Sequence, residues 1–361
     1  MAQIWQTSAG DSCRDYTNLF LEHDLMFIGP GRFGPYSEDI YKPLAKKGVL
    51  TGQRIGMIKT FATKVKEKDI VLLRNGYRVV SIGFVDKTGY EHNEIFDDVF
   101  GWDLQHTQRI IWQHHLAEEL GKIQQKKKLF ADRKQIPTFT AVRDSSILKP
   151  IEYLFEQCQY RNLKAMPAKL PEPLTMEQFG AELFSRGLPN ESIDKLLLAI
   201  QRQRRLTKWY EIHGANSDRP TEHEVVAHMI LPFLLALGWS EQLLAIEWHK
   251  IDLAAFSDTP TTSESCCLVC EAKGLGHGLQ DTFAQATGYV EKGSLDNCRN
   301  IVLTDGARLY LYRRPVNGKW NEVPVGYVNI NLLRTNHIAP GGTNAVDTIM
   351  ALTPAGINRE I

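Results

Sequence analysis

Cys266-Cys-Leu-Val-Cys-Glu-Ala-Lys273 is the stretch on which the reading of this chain turns. Its first five residues are apolar or thiol-bearing and follow the polar, Thr- and Ser-rich stretch 257–265, which is the pattern of a buried strand behind a turn. Successive side chains of a strand point to opposite faces, so Glu271 and Lys273 share one face and Ala272 takes the other. Upstream, Ala245 to Phe256 reads as a second strand that carries Asp252, and a hairpin across 257–265 brings Asp252 beside the pair. Two carboxylates at a strand end form a hard oxygen site suited to Mg²⁺, which keeps several waters and binds through one or two carboxylates plus substrate phosphate. Lys273 then stands where it can orient a water or neutralise charge developing on phosphorus. Cys266, Cys267 and Cys270 alternate between the faces of this strand, so they read as core thiols rather than zinc ligands.

The flanking segments extend the pattern. Thr221 opens a helix whose Val225, Met229, Ile230 and Phe233 form one face, and Gly238 stops it. Leu279 to Val290 reads as a helix, Asn300 to Thr304 as a strand ending in the turn Asp305-Gly306, and Ala307 to Tyr312 as the strand that returns. The blocks Thr221-Glu-His-Glu, Ile230-Leu-Pro232, Leu237-Gly-Trp239, Glu247 to Asp252, Cys270-Glu-Ala-Lys273, Gln285-Ala-Thr-Gly-Tyr289 and Leu303-Thr-Asp-Gly306 together resemble the PD-(D/E)xK nuclease superfamily. Within it they look like the nuclease domain at the N-terminus of type I restriction R subunits, and the Gln-x-x-x-Tyr element is shared with the RecB-type branch. The resemblance implies an α/β restriction-endonuclease-like domain with a mixed central sheet, and metal-dependent phosphodiester hydrolysis in DNA with Mg²⁺ or Mn²⁺. It makes Asp252 and Glu271 metal ligands, with the Ala272 carbonyl beside them, and puts Lys273 next to the attacking water. Glu222 becomes the helix carboxylate that completes or supports the metal shell, with Glu224 the weaker candidate. Gln285 and Tyr289 seat the DNA backbone or the catalytic Lys. His277, between Gly276 and Gly278, lies in a loop near the metal, where it contacts DNA or is simply loop. The motor that follows this domain in R subunits has no counterpart: no G-x-x-x-x-G-K-[ST] occurs, so no ATP is expected.

The first 120 or so residues read differently, as many short strands. Ile70-Val-Leu-Leu and Arg78 to Val85 flank Asn75-Gly76, a dipeptide suited to a tight hairpin because both residues accept positive φ. A small β-barrel or a curled sheet is the expected closure. Ile4-Trp-Gln, Phe27-Ile-Gly-Pro-Gly31, Ile58-Lys-Thr-Phe61, Val65-Lys-Glu-Lys-Asp69-Ile-Val71, Ile82-Gly-Phe-Val85, Tyr90 and Arg109-Ile-Ile-Trp112 resemble PUA-like barrels of the EVE type. That superfamily is similar to readers that hold a modified or flipped base in an aromatic pocket, for which Trp5, Phe27, Trp102 and Trp112 are the candidates. The other reading of these rings is that they fill the core.

Composition bounds the rest. A chain of 361 residues, 43% hydrophobic and 23% charged, has the material for two or three globular domains. Forty-two basic residues balance 42 acidic ones, which excludes a uniformly basic nucleic-acid coat but not local patches. Lys126, Lys127 and Lys128, with Arg133 and Lys134 nearby, and Arg202, Arg204, Arg205 and Lys208, are such patches, readable as phosphate contacts or as solvated helix faces. Six scattered Cys do not form a secreted disulfide framework, and no apolar run approaches the length of a membrane span, so a cytoplasmic protein is expected. The expected organisation is α+β and multidomain: a PUA-like domain over 1–118, a helical linker with basic clusters over 119–215, and a nuclease over 216–361. The expected function is a modification-dependent DNA endonuclease, acting as a dimer or by two successive nicks. The alternatives are a structure-specific or repair nuclease indifferent to modification, and a non-catalytic nucleic-acid-binding protein.

Overall fold

A tight turn does follow Asn75, one residue later than the Asn75-Gly76 dipeptide suggests. The computed structural model describes residues 2–11, 14–127, 129–130, 136–214, 219–279, 282–316, 318–357 and 359. In it β5 (Ile70–Asn75) and β6 (Arg78–His92) pair with Asn75 opposite Arg78, so Gly76 and Tyr77 form the turn, and of these only Gly76 has positive φ, +55°. From this hairpin the sheet grows both ways. On one side β5 runs parallel to β1 (Ile4–Ser8), which pairs antiparallel with β8 (Phe139–Ala141). On the other, β6 pairs with β7 (His106–Trp112) and β7 with β4 (Leu25–Ile28). A short ribbon joins β2 (Gly10–Asp11) to β3 (Arg14–Asp15).

Among the described residues the expected barrel is not closed. The six-stranded order β4-β7-β6-β5-β1-β8 has two unpaired ends, although the register break between Val85 and Tyr90 lets β6 bend. The helix Gly52–Thr63, missed in the strand-rich reading, bridges toward those ends instead: Phe61 packs edge-on against Phe139 of β8 at 5.1 Å, and its carbonyl accepts from Gln108 of β7 at 2.8 Å. Within the sheet, Gly83 is required by close approach, since a Cβ there would lie 2.7 Å from Ile110 and from Trp112. His106 ties three elements, sitting 2.7 Å from the Tyr90 hydroxyl and 2.9 Å from the Tyr41 hydroxyl of the helix Glu38–Lys46. Burial lowers the pKa of His106 to about 4.

The chain divides into two compact units, Met1–Lys169 and Leu170–Ile361. The stretch 119–215, expected as a linker, is shared between them because its apolar faces have cores to join. Leu120, Phe130, Ile147, Ile151 and Leu154 pack with Leu72, Val79 and Ile82 of the first sheet. Phe179, Leu183, Leu196 and Ile200, from the helices Met176–Ser185 and Asn190–His213, join the core of the second unit.

That second core lies on a mixed six-stranded sheet ordered β14-β13-β12-β11-β10-β9, made of β9 (Leu244–Trp248), β10 (Ile251–Phe256), β11 (Cys266–Ala272), β12 (Asn300–Thr304), β13 (Arg308–Arg313) and β14 (Gly326–Asn329). Only β11 and β12 are parallel, and their crossover is the helix Thr282–Lys292. The single strand expected from Ala245 to Phe256 is a hairpin: His249 and Lys250 form its turn with φ of +51° and +73°, and Glu247 lies just before at +54°. Thr221 caps a helix that begins at Glu222, and a wide turn over Val226–Ile230 precedes Pro232. Proline lacks the N–H that an α turn would need, and the Leu231 N–H reaches back five residues to Val226. Cys266, Cys267, Cys270 and Cys298 are all buried in this unit, with Cys267 donating to the Ala255 carbonyl at 3.4 Å. Among the described residues no helix is long and apolar enough to cross a membrane.

Candidate active site

Asp252 is the second residue of β10 and Glu271 the sixth of β11, and the pairing of Leu253 with Cys270 makes them neighbours across the ladder. Asp252 Oδ2 accepts the Ala272 N–H at 2.7 Å, so the contact Ala272 makes here is through its N–H. Glu271 is 2% exposed. Its Oε1 accepts from Lys273 Nζ at 3.1 Å and from Gln285 Nε2 at 2.6 Å, while Oε2 is buried without a hydrogen-bond partner. Burial, reinforced by the Asp252 charge, pushes the Glu271 carboxyl up to about 7. Burial also raises Asp252, against the Ala272 N–H and the Lys273 charge.

Lys273 bridges the sheet to the first helical turn. Its Nζ lies 3.0 Å from Glu222 Oε1 and 3.1 Å from Glu271 Oε1. Burial alone would lower the lysine, but the two carboxylates outweigh it and hold its pKa above the ordinary value. Of the two helix carboxylates, Glu222 is the one that reaches Lys273. Glu224 turns back to the Thr221 N–H at 2.9 Å and to Arg219 Nε at 2.8 Å, closing a capping box, and Arg219 brings its carboxyl down to about 2. On the other flank Gln285 Nε2 also donates to the Tyr289 hydroxyl at 2.9 Å, giving a chain Tyr289–Gln285–Glu271.

The sequence places Asp305 in a turn and Arg308 in the strand that returns, with no sign that they pair. Asp305 is fully buried and ion-paired with Arg308; its Oδ2 accepts the Gly276 N–H at 3.0 Å, and Arg308 Nη2 donates to the His277 carbonyl at 3.1 Å. The pair therefore fastens the loop 274–279 that follows Lys273, leaving the His277 side chain exposed. The only local hint was the spacing of an Asp and an Arg three apart around a Gly turn.

Among the described residues no three His, Cys, Asp or Glu side chains form a ready cage for an ion. The Lys273 ammonium stands between Glu222 and Glu271 and neutralises them. Mg²⁺ does not require such a cage, because waters and phosphate oxygens supply most of its shell. Glu271 Oε2, buried without a partner on a residue that neighbours Asp252 across the ladder, is an oxygen of the kind that fits it.

The remaining candidates separate. Lys126 and Arg205 are exposed; Lys127 donates to the Ser146 carbonyl at 3.0 Å, and Lys128, Arg133 and Lys134 lie outside the described residues. Arg204 is half-buried and donates to the Ile330 carbonyl at 2.7 Å, a structural contact rather than a free phosphate ligand. In the first unit, Trp5, Phe27 and Trp102 line a broad concavity of about 1610 Å³, with Arg32, Arg54 and Asp103 among its polar residues. Trp5 is 5% exposed, bonded through Nε1 to Asp69 at 2.8 Å and stacked on Phe139. Phe27 is packed between Phe20 and Phe96, and Trp102 is half-buried. Trp112 does not reach the concavity. It is fully buried, its Nε1 donating to the Phe20 and Leu25 carbonyls, because Gly83 draws the strands together over it. Compared with known proteins, the chain matches no family model, no curated protein and no solved structure.

Proposed function

We propose that this chain is a divalent-metal-dependent DNA endonuclease of the modification-dependent restriction kind, with the concavity of its first unit reading the altered base. The observation that carries the nuclease reading is Glu271: a nearly inaccessible carboxylate, one oxygen held by Lys273 and Gln285 and the other left unpartnered beside Asp252. A buried polar atom without a partner costs about 1–3 kcal/mol, and at a strand end it marks a place for a ligand. Asp252 and Glu271 would hold Mg²⁺ or Mn²⁺, with Glu222 and the Ala272 carbonyl in support, and the ion when bound supplies charge neutralisation on the phosphate and acidifies a water. Lys273 orients the attacking water toward phosphorus and counters the charge that develops there. Gln285 keeps Oε1 of Glu271 engaged, so that Oε2 is the oxygen presented. In-line attack leaves a 5′-phosphate and a 3′-hydroxyl.

The test is cleavage, in Mg²⁺ or Mn²⁺, of matched DNAs that are plain, methylated, hydroxymethylated or glucosylated. Cutting of one modified substrate alone is expected, and Asp252→Ala and Lys273→Ala should each abolish it while DNA binding persists. Equal cutting of all substrates removes the modification reading, and no cutting of any removes the nuclease. One observation favours a second reading, in which the first unit recognises RNA or DNA structure instead: Trp5, Phe27 and Trp112 are all at least nine-tenths buried, so only Trp102 offers an open ring.

A further inference from the structure

A groove of about 580 Å³ opens beside the site, between the hairpin turn joining β9 to β10 and one face of the helix Thr282–Lys292. It shares Gln285 and Tyr289 with the site, so an occupant lies one side chain away from Glu271. Trp248 forms one wall, set edge-on against Phe256 at 5.0 Å and against His249 at 4.4 Å, and is only partly covered. His249, Lys250 and Lys292 also line the groove, and among the described residues no Asp or Glu does. In a chain whose charges balance at 42 of each sign, that lining is complementary to an anion. Ala284 and Gly288, one turn apart, line its helical side. Gly288 is mid-helix, where glycine is less stable than alanine, yet a Cβ there would meet nothing within 4 Å. No protein neighbour demands the glycine. The turn on the opposite wall is held at positive φ by residues that carry side chains, His249 and Lys250.

We infer that this groove seats an unpaired nucleotide of the strand being cut, next to the scissile phosphate, with its base on Trp248 and its backbone between Lys250 and Lys292. An indole offers a stacking surface that any base can use once it is out of the helix, whereas a paired and stacked base presents no free face. A groove of this volume is of the size of a single nucleotide. The inference rests on the nuclease reading above and specifies its substrate: DNA splayed or single-stranded at the cut.

The experiment uses the full chain, with Ca²⁺ in place of Mg²⁺, and a thymidine oligonucleotide carrying one 2-aminopurine, single-stranded or in duplex. Wild type should bind the single strand more tightly than the duplex and quench the 2-aminopurine. Trp248→Ala should weaken single-strand binding about tenfold and abolish the quenching. Gly288→Gln fills the groove from a position where nothing opposes it, and should weaken binding comparably with the fold intact, which covers the case in which Trp248→Ala disturbs Phe256. Equal binding by all three proteins, or equal binding of single strand and duplex, overturns the seat. Cleavage in Mg²⁺ is scored separately. A wild type that cuts while both variants bind normally loses the seat and keeps the nuclease; Trp248-dependent binding with no cutting keeps the seat and loses the nuclease.

Discussion

Glu222 and Glu224 are two residues apart on one helical turn, and their opposite fates show how much a single side chain's direction decides. Glu222 faces Lys273, whereas Glu224 closes the capping box with Thr221 and Arg219. Glu222→Gln should therefore reduce cleavage at least tenfold with little change in melting temperature. Glu224→Ala, which removes the acceptor that closes the capping box and pairs with Arg219, should leave cleavage unchanged but cost about 1 kcal/mol of stability, the order of a lost helix cap. Glu271 makes a separate demand. Its folded pKa of about 7 lies above the ordinary 4.5, so the folded chain holds this proton more tightly than the unfolded chain between those values. The associated stability is fully present below pH 4.5 and is lost as pH rises through 7. In metal-free buffer Glu271→Gln should thus gain in melting temperature relative to wild type as pH is raised from 5 to 8; a constant difference would refute the assignment. Sequence alone brought Asp252, Glu271 and Lys273 together through strand alternation, a local rule. It could not choose between Glu222 and Glu224, nor see that Asp305 and Arg308 fasten a loop, because Gly276 lies 29 residues from Asp305 in the chain.

At the scale of elements, strands flanked by clear turn chemistry were legible, and those without it were not. β12 and β11 both match their expected limits, Asn300–Thr304 and Cys266–Ala272. The turn of β9 into β10 went unseen because His249 and Lys250 are not residues that usually accept positive φ. The helix Gly52–Thr63 carries two glycines and a weak apolar stripe, so its signal was faint even though Thr51 caps it. Barrel closure is a long-range property, and that helix pre-empts it. Across β7, β6 and the helix Glu38–Lys46, His106 offers a measurable coupling. Its folded pKa of about 4 is below the unfolded 6.5, so the unfolded chain binds more protons in that window. Stability should fall as pH drops from about 6.5 toward 4, by about 3 kcal/mol for this one group. His106→Phe should flatten the acid limb of a denaturant-unfolding series that follows the first unit; an unchanged slope would remove His106 as its cause.

For the whole molecule, the division into Met1–Lys169 and Leu170–Ile361 gives each part its own sheet and its own core. The fragment 170–361 should fold alone and cut DNA in Mg²⁺ with no preference for modified bases, while 1–169 should bind without cutting. Cleavage by 170–361 that still discriminates modified from plain DNA would move recognition out of the first unit. From its length the chain was expected to hold two or three domains, and it falls into two compact units; that the middle stretch is shared between them was not legible, since amphipathic helices look alike in sequence whichever core they join. The buried thiols of the second sheet have a practical consequence. Cys266, Cys267, Cys270 and Cys298 are almost inaccessible, and burial pushes the Cys267 thiol up to about 12, so a small alkylating reagent meets them only when the fold opens. They form an intrinsic clock: the rate at which iodoacetamide consumes them reports how often this half of the protein breathes, with no label introduced.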